Sequence, residues 1–236
     1  MANGNFRLLD KFRAAFEGKI YRHRVSTVGN LIGRELYEDL FNHHVSSAYT
    51  QHVQEGVVAV DIAGKVQNKK IFRRNDSVLG RLPAGTVVHP PEVGYTVRAG
   101  LIADARIGCE VKIIAKDPLS QIDRVISDLA TFAGRVRRVS PQSISIALVG
   151  VNHESSYLSY EGDKTYQHPL RGHEPAEAIK RIEEQLREVY DELLIFSFRV
   201  TNRPPYPFAW LNAKGIGVQY GSALTRIGEA YQGRFR

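Results

Sequence analysis

The sequence predicts an α/β (α+β) fold in which a mixed central β-sheet is flanked by helices. Two apolar runs, 143–151 (SISIALVGV) and 193–200 (LLIFSFRV), have the length and β-branched content of buried strands. Between them, residues 174–190 place Ile179, Ile182, Leu186 and Val189 on one helical face and charges on the other. Strand–helix–strand order of this kind calls for helices packed on a sheet. The chain has 236 residues, 43% hydrophobic and 24% charged, an ordinary globular composition with enough length for a sizeable core. It reads as a single domain over 1–236, with 57–100 inserted as a basic hairpin followed by an irregular stretch.

The N-terminal segment MANGNFRLLDKFRAAF scatters its charges and has no apolar centre, so no secretory signal is expected. Residues 30–55 then read as one helix. Ile32, Leu36 and Leu40 step by four, Phe41, Val45 and Ala48 continue the stripe, Asn30 serves as N-cap and Gly56 ends it. Val57 to Ile62 is a β-branched run, Ala63-Gly64-Lys65 a turn signal, and Val66 to Phe72 a returning strand, so a hairpin is expected. Lys65, Lys69, Lys70, Arg73, Arg74 and Arg81 make this the densest basic patch in the chain, opposed locally by Asp61 and Asp76. A solvated edge protected by lysines has the same pattern.

A short hairpin is expected next, from 101–104 (LIAD) and 109–115 (CEVKIIA). Asp117-Pro118 opens a helix by N-cap and first-turn chemistry. Leu119, Ile122, Ile126, Leu129 and Ala133 line that helix and Gly134 closes it. Residues 152–173 form a long polar connection, and a functional loop is expected there. A last small strand (216–220) and helix (223–231) complete the order.

The residues that carry chemistry lie in the central hairpin. Alternation along a strand points Glu110 and Lys112 to one face and the apolar Cys109, Val111 and Ile113 to the other. Asp104 ends the preceding strand and is expected beside Glu110. Two neighbouring carboxylates repel unless a cation joins them, and hard oxygen ligands suit Mg²⁺. Lys112 would orient a metal-bound water and neutralise phosphate charge. Gln121 and Arg124 lie on the polar side of the helix that follows. A solvent-exposed Glu/Lys ladder pair is the plainer alternative.

The run LIADARIGCEVKIIAKDPLSQIDRVISDL resembles the core of the PD-(D/E)xK phosphodiesterases, the restriction-endonuclease-like nucleases. Asp104 matches the first acid, Glu110 the second and Lys112 the lysine. The resemblance covers about 95–200, with 30–55 as the opening helix. It implies a restriction-endonuclease-like core and Mg²⁺-dependent DNA cleavage, with Mn²⁺ as an alternative ion. Asp104, Glu110 and the Val111 carbonyl would be metal ligands and Lys112 would assist the attacking water. It also implies a homodimer serving restriction or another defence against foreign DNA, and with no signal segment or membrane span in the sequence a cytoplasmic location is expected. Ala103 replaces the family's frequent proline, and Val125 its tyrosine after the helix glutamine. The short interval from Asp104 to Glu110 demands a tight hairpin; otherwise Glu92 or Glu35 supplies the second carboxylate. Gln121 sits where some branches carry a site-facing glutamine.

Duplex DNA is the expected partner. The chain has 32 Lys and Arg against 25 Asp and Glu, a net charge of +7. Lys65, Lys69, Lys70, Arg73 and Arg74 are expected to grip it, joined by His153, Tyr157 and Lys164 of the polar connection. A non-catalytic nucleic-acid-binding module on the same fold is the alternative. The lone Cys109 excludes an intramolecular disulfide and a Cys-rich zinc site. No stretch approaches the roughly 20 apolar residues that a membrane span needs.

Overall fold

The computed structural model describes residues 5–22, 27–61, 65–66, 69–70, 77–87, 89–161, 164–169 and 172–236. Of Thr27, Lys65, Val66, Lys69 and Lys70 only the backbone is described. The elements are α1 (Arg7–Ala14), α2 (Thr27–Asn42), α3 (Ser47–Gln54), β1 (Val58–Asp61), β2 (Lys65–Val66), β3 (Lys69–Lys70), β4 (Ser77–Arg81), β5 (Ile107–Ile114), α4 (Pro118–Val139), β6 (Ile144–Asn152), β7 (Ser156–Glu161), β8 (Lys164–Pro169), α5 (Glu174–Leu186), β9 (Glu192–Arg199), β10 (Ala209–Trp210) and α6 (Ala213–Arg234).

The central sheet is mixed, in the order β1-β4-β5-β6-β9-β10. β5, β6 and β9 run parallel, with Cys109 opposite Ile146 and Leu148 opposite Leu194. β1 and β4 add antiparallel strands at one edge and β10 at the other. The crossovers β5–α4–β6 and β6–α5–β9 step in the same direction, so a constant hand puts both helices on one face. There Ile122, Leu129, Ile182 and Leu186 pack on Ala147, Val149 and Val151. The other face is covered by α1, α2, α3 and α6 and is rich in rings, with Phe12, Phe16, Tyr37, Phe196, Phe198 and Tyr220 in one cluster. The expected mixed sheet between helices is therefore present.

Several local expectations are corrected. The helix read over 30–55 is two helices. His44 takes a left-handed φ of 49°, and Ser46 starts α3 by accepting the Tyr49 N–H at 3.2 Å. Among the described residues β1 does not pair with Val66, Lys69 or Lys70. Its partner is β4, with Val58 opposite Arg81 and Asp61 opposite Val78. All four β1 residues are buried, so it needs an apolar neighbour such as Val78 and Leu79, which a Lys-rich segment cannot offer. Lys65–Val66 and Lys69–Lys70 instead form their own two-stranded ribbon.

Nor do 101–104 and 109–115 form a hairpin. β5 is flanked by β4, with Ser77 opposite Cys109, and by β6. Residues 103–106 run along β4, where the Ala103 N–H bonds the Arg81 carbonyl and the Arg106 N–H the Leu79 carbonyl. Gly80 makes this approach feasible, because a Cβ there would overlap the Asp104 carbonyl oxygen. α4 runs past Gly134 to Val139. The polar stretch 152–173 is largely the β7–β8 ribbon, with Tyr157 opposite His168. Residues 216–231 belong to one helix, whose buried Ile216, Tyr220, Ala223, Leu224, Ile227 and Tyr231 follow a helical stripe.

Candidate functional site

β5 carries the site. Cys109 and Val111 pack into the ring-rich cluster, and Ile114 packs into the cluster under α4. Glu110 and Lys112 share the parity of Ile114 and therefore face α4, opposite Ala147 and Val149 of β6. Glu110 is 6% exposed. A carboxylate so buried requires a partner, and Lys112 supplies one, with Nζ 2.7 Å from Glu110 Oε1. On its other side the same ammonium lies 3.6 Å from Asp128 Oδ2 on α4. The cation thus sits between two carboxylates. Burial, reinforced by Glu110, raises the Cys109 thiol well above its usual range, so Cys109 is no thiolate nucleophile.

Asp104 is not part of this group. Its carboxylate accepts the backbone N–H and the Nε–H of Arg81, each at 3.1 Å. Arg81 lies four residues from Ser77, which stands opposite Cys109. Glu110 lies one residue further on, so at about 3.3 Å per residue it stands roughly 16 Å along the sheet from Arg81. The expected juxtaposition of Asp104 with Glu110 is therefore absent, because 101–106 tracks β4 instead of folding back on β5.

Glu35 and Glu92 do not supply the missing carboxylate. Both lie around Tyr95. Glu35 on α2 accepts from Arg7 Nε at 2.7 Å and from the Tyr95 hydroxyl at 3.2 Å. Glu92 accepts from Arg34 at 2.7 Å, and the Arg34 guanidinium stacks 3.6 Å from the Tyr95 ring centre. Gln121 donates to the Lys116 carbonyl at 2.7 Å and closes the turn into α4.

Of the residues expected on DNA, Arg73 and Arg74 lie outside the described residues, and Lys65, Lys69 and Lys70 are placed by backbone alone. Lys164 is exposed on β8. His153 is half-buried, and burial together with Arg199 lowers its imidazole from the usual range. Tyr157 is corrected to a core residue. It is 0% exposed, because the alternation of β7 turns Tyr157 and Ser159 inward. Ser159 ends a Ser–His–Asp chain, with Oγ 2.8 Å from His168 Nε2 and His168 Nδ1 2.8 Å from Asp117. A fully buried serine cannot meet a substrate, so this chain tethers the ribbon to the start of α4.

Sequence reasoning missed Asp128. Its signal was position: it falls between Val125 and Phe132 at helical spacing, on the flank of the apolar stripe of α4. Asp61, named in the sequence only as a local counter-charge, is a buried acid that ends β1.

Among the described residues, no three His, Cys, Asp or Glu side chains group to hold a metal ion. Mg²⁺ asks for less, since it is commonly bound by one or two carboxylates with waters and phosphate oxygens. Glu110 meets the lower end of that count as a single buried carboxylate. Asp104 does not fit it. No protein-family model matches this chain, and neither a curated protein nor a solved structure matches it.

Proposed function

We propose that the protein is a Mg²⁺-dependent DNA endonuclease of the PD-(D/E)xK type, acting on duplex DNA in the cytoplasm as a homodimer. Its role would be type II restriction or another defence against foreign DNA. One observation carries the reading: the acid and the ammonium of Glu110-Val111-Lys112 lie side by side on one face of the central strand, 2.7 Å apart. Glu110, with the Val111 carbonyl, would hold the cation. Bound there, Mg²⁺ would stabilise phosphate charge and make a water more acidic. Lys112 neutralises a phosphate oxygen and orients the attacking water. Burial of Glu110 strengthens these interactions by excluding bulk solvent. The second acid in this reading is not Asp104, whose carboxylate is held by Arg81. Asp76 precedes Ser77 in the sequence and lies outside the described residues, and Asp61 ends the neighbouring β1.

The test is incubation of supercoiled DNA with the protein and Mg²⁺ or EDTA, beside Lys112→Ala. We expect Mg²⁺-dependent nicking and linearisation, slowed at least about 100-fold by the substitution. Asp76→Asn and Asp61→Asn identify the second acid. An intact plasmid under every condition sinks the reading.

The separation of Asp104 from Glu110 favours a second reading, a non-catalytic nucleic-acid-binding module on the same fold. It predicts DNA binding without cutting, unchanged by Lys112→Ala.

A further inference from the structure

We infer that Asp128 is a positioning residue for Lys112: it receives the Lys112 ammonium when a divalent cation takes the Glu110 carboxylate. The inference rests on the metal-dependent reading above and adds a moving part to that site.

Lys112 Nζ lies 2.7 Å from Glu110 Oε1. A divalent cation seeking the same carboxylate meets a positive charge already in place, and like charges a few ångströms apart repel. Lys112 must then leave Glu110 without losing its catalytic reach. Among the described residues its surroundings offer few ion-pair acceptors. Across β6 stands Val149, one step along β5 is the buried Ile114, and the neighbouring α4 side chains Val125, Leu129 and Phe132 are apolar. Among the described residues the ion-pair acceptors of Lys112 are Glu110 and Asp128.

Asp128 is placed for this exchange. From 3.6 Å, a small torsional adjustment of the flexible lysine stem brings Nζ to hydrogen-bond distance of Oδ2. α4 is a firm platform, since the Tyr190 hydroxyl bonds the Leu129 carbonyl at 2.6 Å and Leu129 and Phe132 are buried. Asp128 therefore lowers the electrostatic cost of cation entry and keeps the displaced ammonium next to the site. It acts through Lys112 and touches neither cation nor substrate.

The experiment uses Mn²⁺ as the probe, added to the DNA-free full chain and followed by the paramagnetic resonance signal of the free ion. Glu110→Gln identifies which binding belongs to this site. Asp128→Asn should weaken that binding roughly five- to tenfold, the low end of coupling between two sites. Lys112→Ala, which removes the competing ammonium, should tighten it. Asp128→Asn added to Lys112→Ala should then have no further effect. An equal loss in both backgrounds would mean that Asp128 acts on the cation directly, and no loss in either would mean that Lys112 goes elsewhere; each overturns the inference while the metal site stands. Absence of Glu110-dependent binding in the unmodified protein overturns the inference and the metal-dependent reading together. Circular dichroism of each variant checks the fold, and Asp128→Glu, which restores the acceptor, should recover most of the affinity.

Discussion

Asp104 shows how a motif residue can be bound into the fold rather than into a site. Both of its oxygens are engaged by Arg81, one by the main-chain N–H and one by the guanidinium. A hydrogen bond to a charged group contributes about 1.5–3 kcal/mol, less where solvent competes, and this pair is partly exposed. Asp104→Asn should therefore lower the melting temperature by a few degrees and leave DNA cleavage at the level of the unmodified protein, read by thermal unfolding beside a plasmid assay. Loss of cleavage with an unchanged melting temperature would return Asp104 to the chemistry. At this scale the sequence was half legible. The alternation that turns Glu110 and Lys112 to one face follows from the two-residue period of a strand, and the structure keeps it. The place of Asp104 did not follow, because it depends on Gly80 admitting the 101–106 backbone beside β4, a contact made 24 residues away in the chain.

At the scale of elements, long periodic segments were legible and their partners were not. α4, α5, β6 and β9 stand close to where their apolar patterns put them, since each buries a full face. The break between α2 and α3 was hidden because the apolar stripe runs through it; the local Ser46 cap of α3 is completed by a distant residue. Gln232 of α6 accepts the Ala48 N–H at 2.9 Å and both neighbouring serine hydroxyls, a cap contributed by another helix. α1 is begun in the same way by Asp39 of α2, which accepts the N–H groups of Arg7 and Leu8. The joint between α3 and α6 is completed by His52, whose Nδ1 lies 2.9 Å from an Arg106 guanidinium nitrogen and 3.1 Å from the Tyr231 hydroxyl. A guanidinium can only donate, so Nδ1 accepts and the ring is neutral. Burial, and then the charge of Arg106, hold the imidazole below its usual range. As pH falls through the unfolded-state value near 6.5, the unfolded chain takes a proton that the folded chain refuses, so stability is lost on acidification. His52→Gln keeps an acceptor and cannot titrate. Its melting temperature should fall less than that of the unmodified protein between pH 7.5 and 5.5; an identical fall in both would show that the joint does not sense pH.

For the whole molecule, the net charge of +7 is a statement about association rather than fold. The two faces of the sheet are closed by helices, and no helix among the described residues is long and apolar enough to cross a membrane. A polyanion is the partner that such a charge favours, and the salt dependence of its binding tests this without any assumption about catalysis. Each phosphate neutralised by a lysine or arginine releases counterions, so the logarithm of the binding constant falls with log salt at about −0.9 per contact. With three such contacts, raising salt from about 50 to 200 mM should weaken duplex binding roughly 40-fold. The β2–β3 ribbon, where Lys65 stands opposite Lys70 and Val66 opposite Lys69, concentrates three lysines within six residues. If it tracks the backbone, replacing Lys65, Lys69 and Lys70 by alanine should flatten the slope by about one unit for each lost contact, and by a similar amount on every duplex sequence, since phosphates carry no sequence information. Fluorescence anisotropy over a salt series reads both quantities. A slope unchanged by the triple substitution would move the contacts off the ribbon, and binding that ignores salt would make the positive charge incidental to the partner.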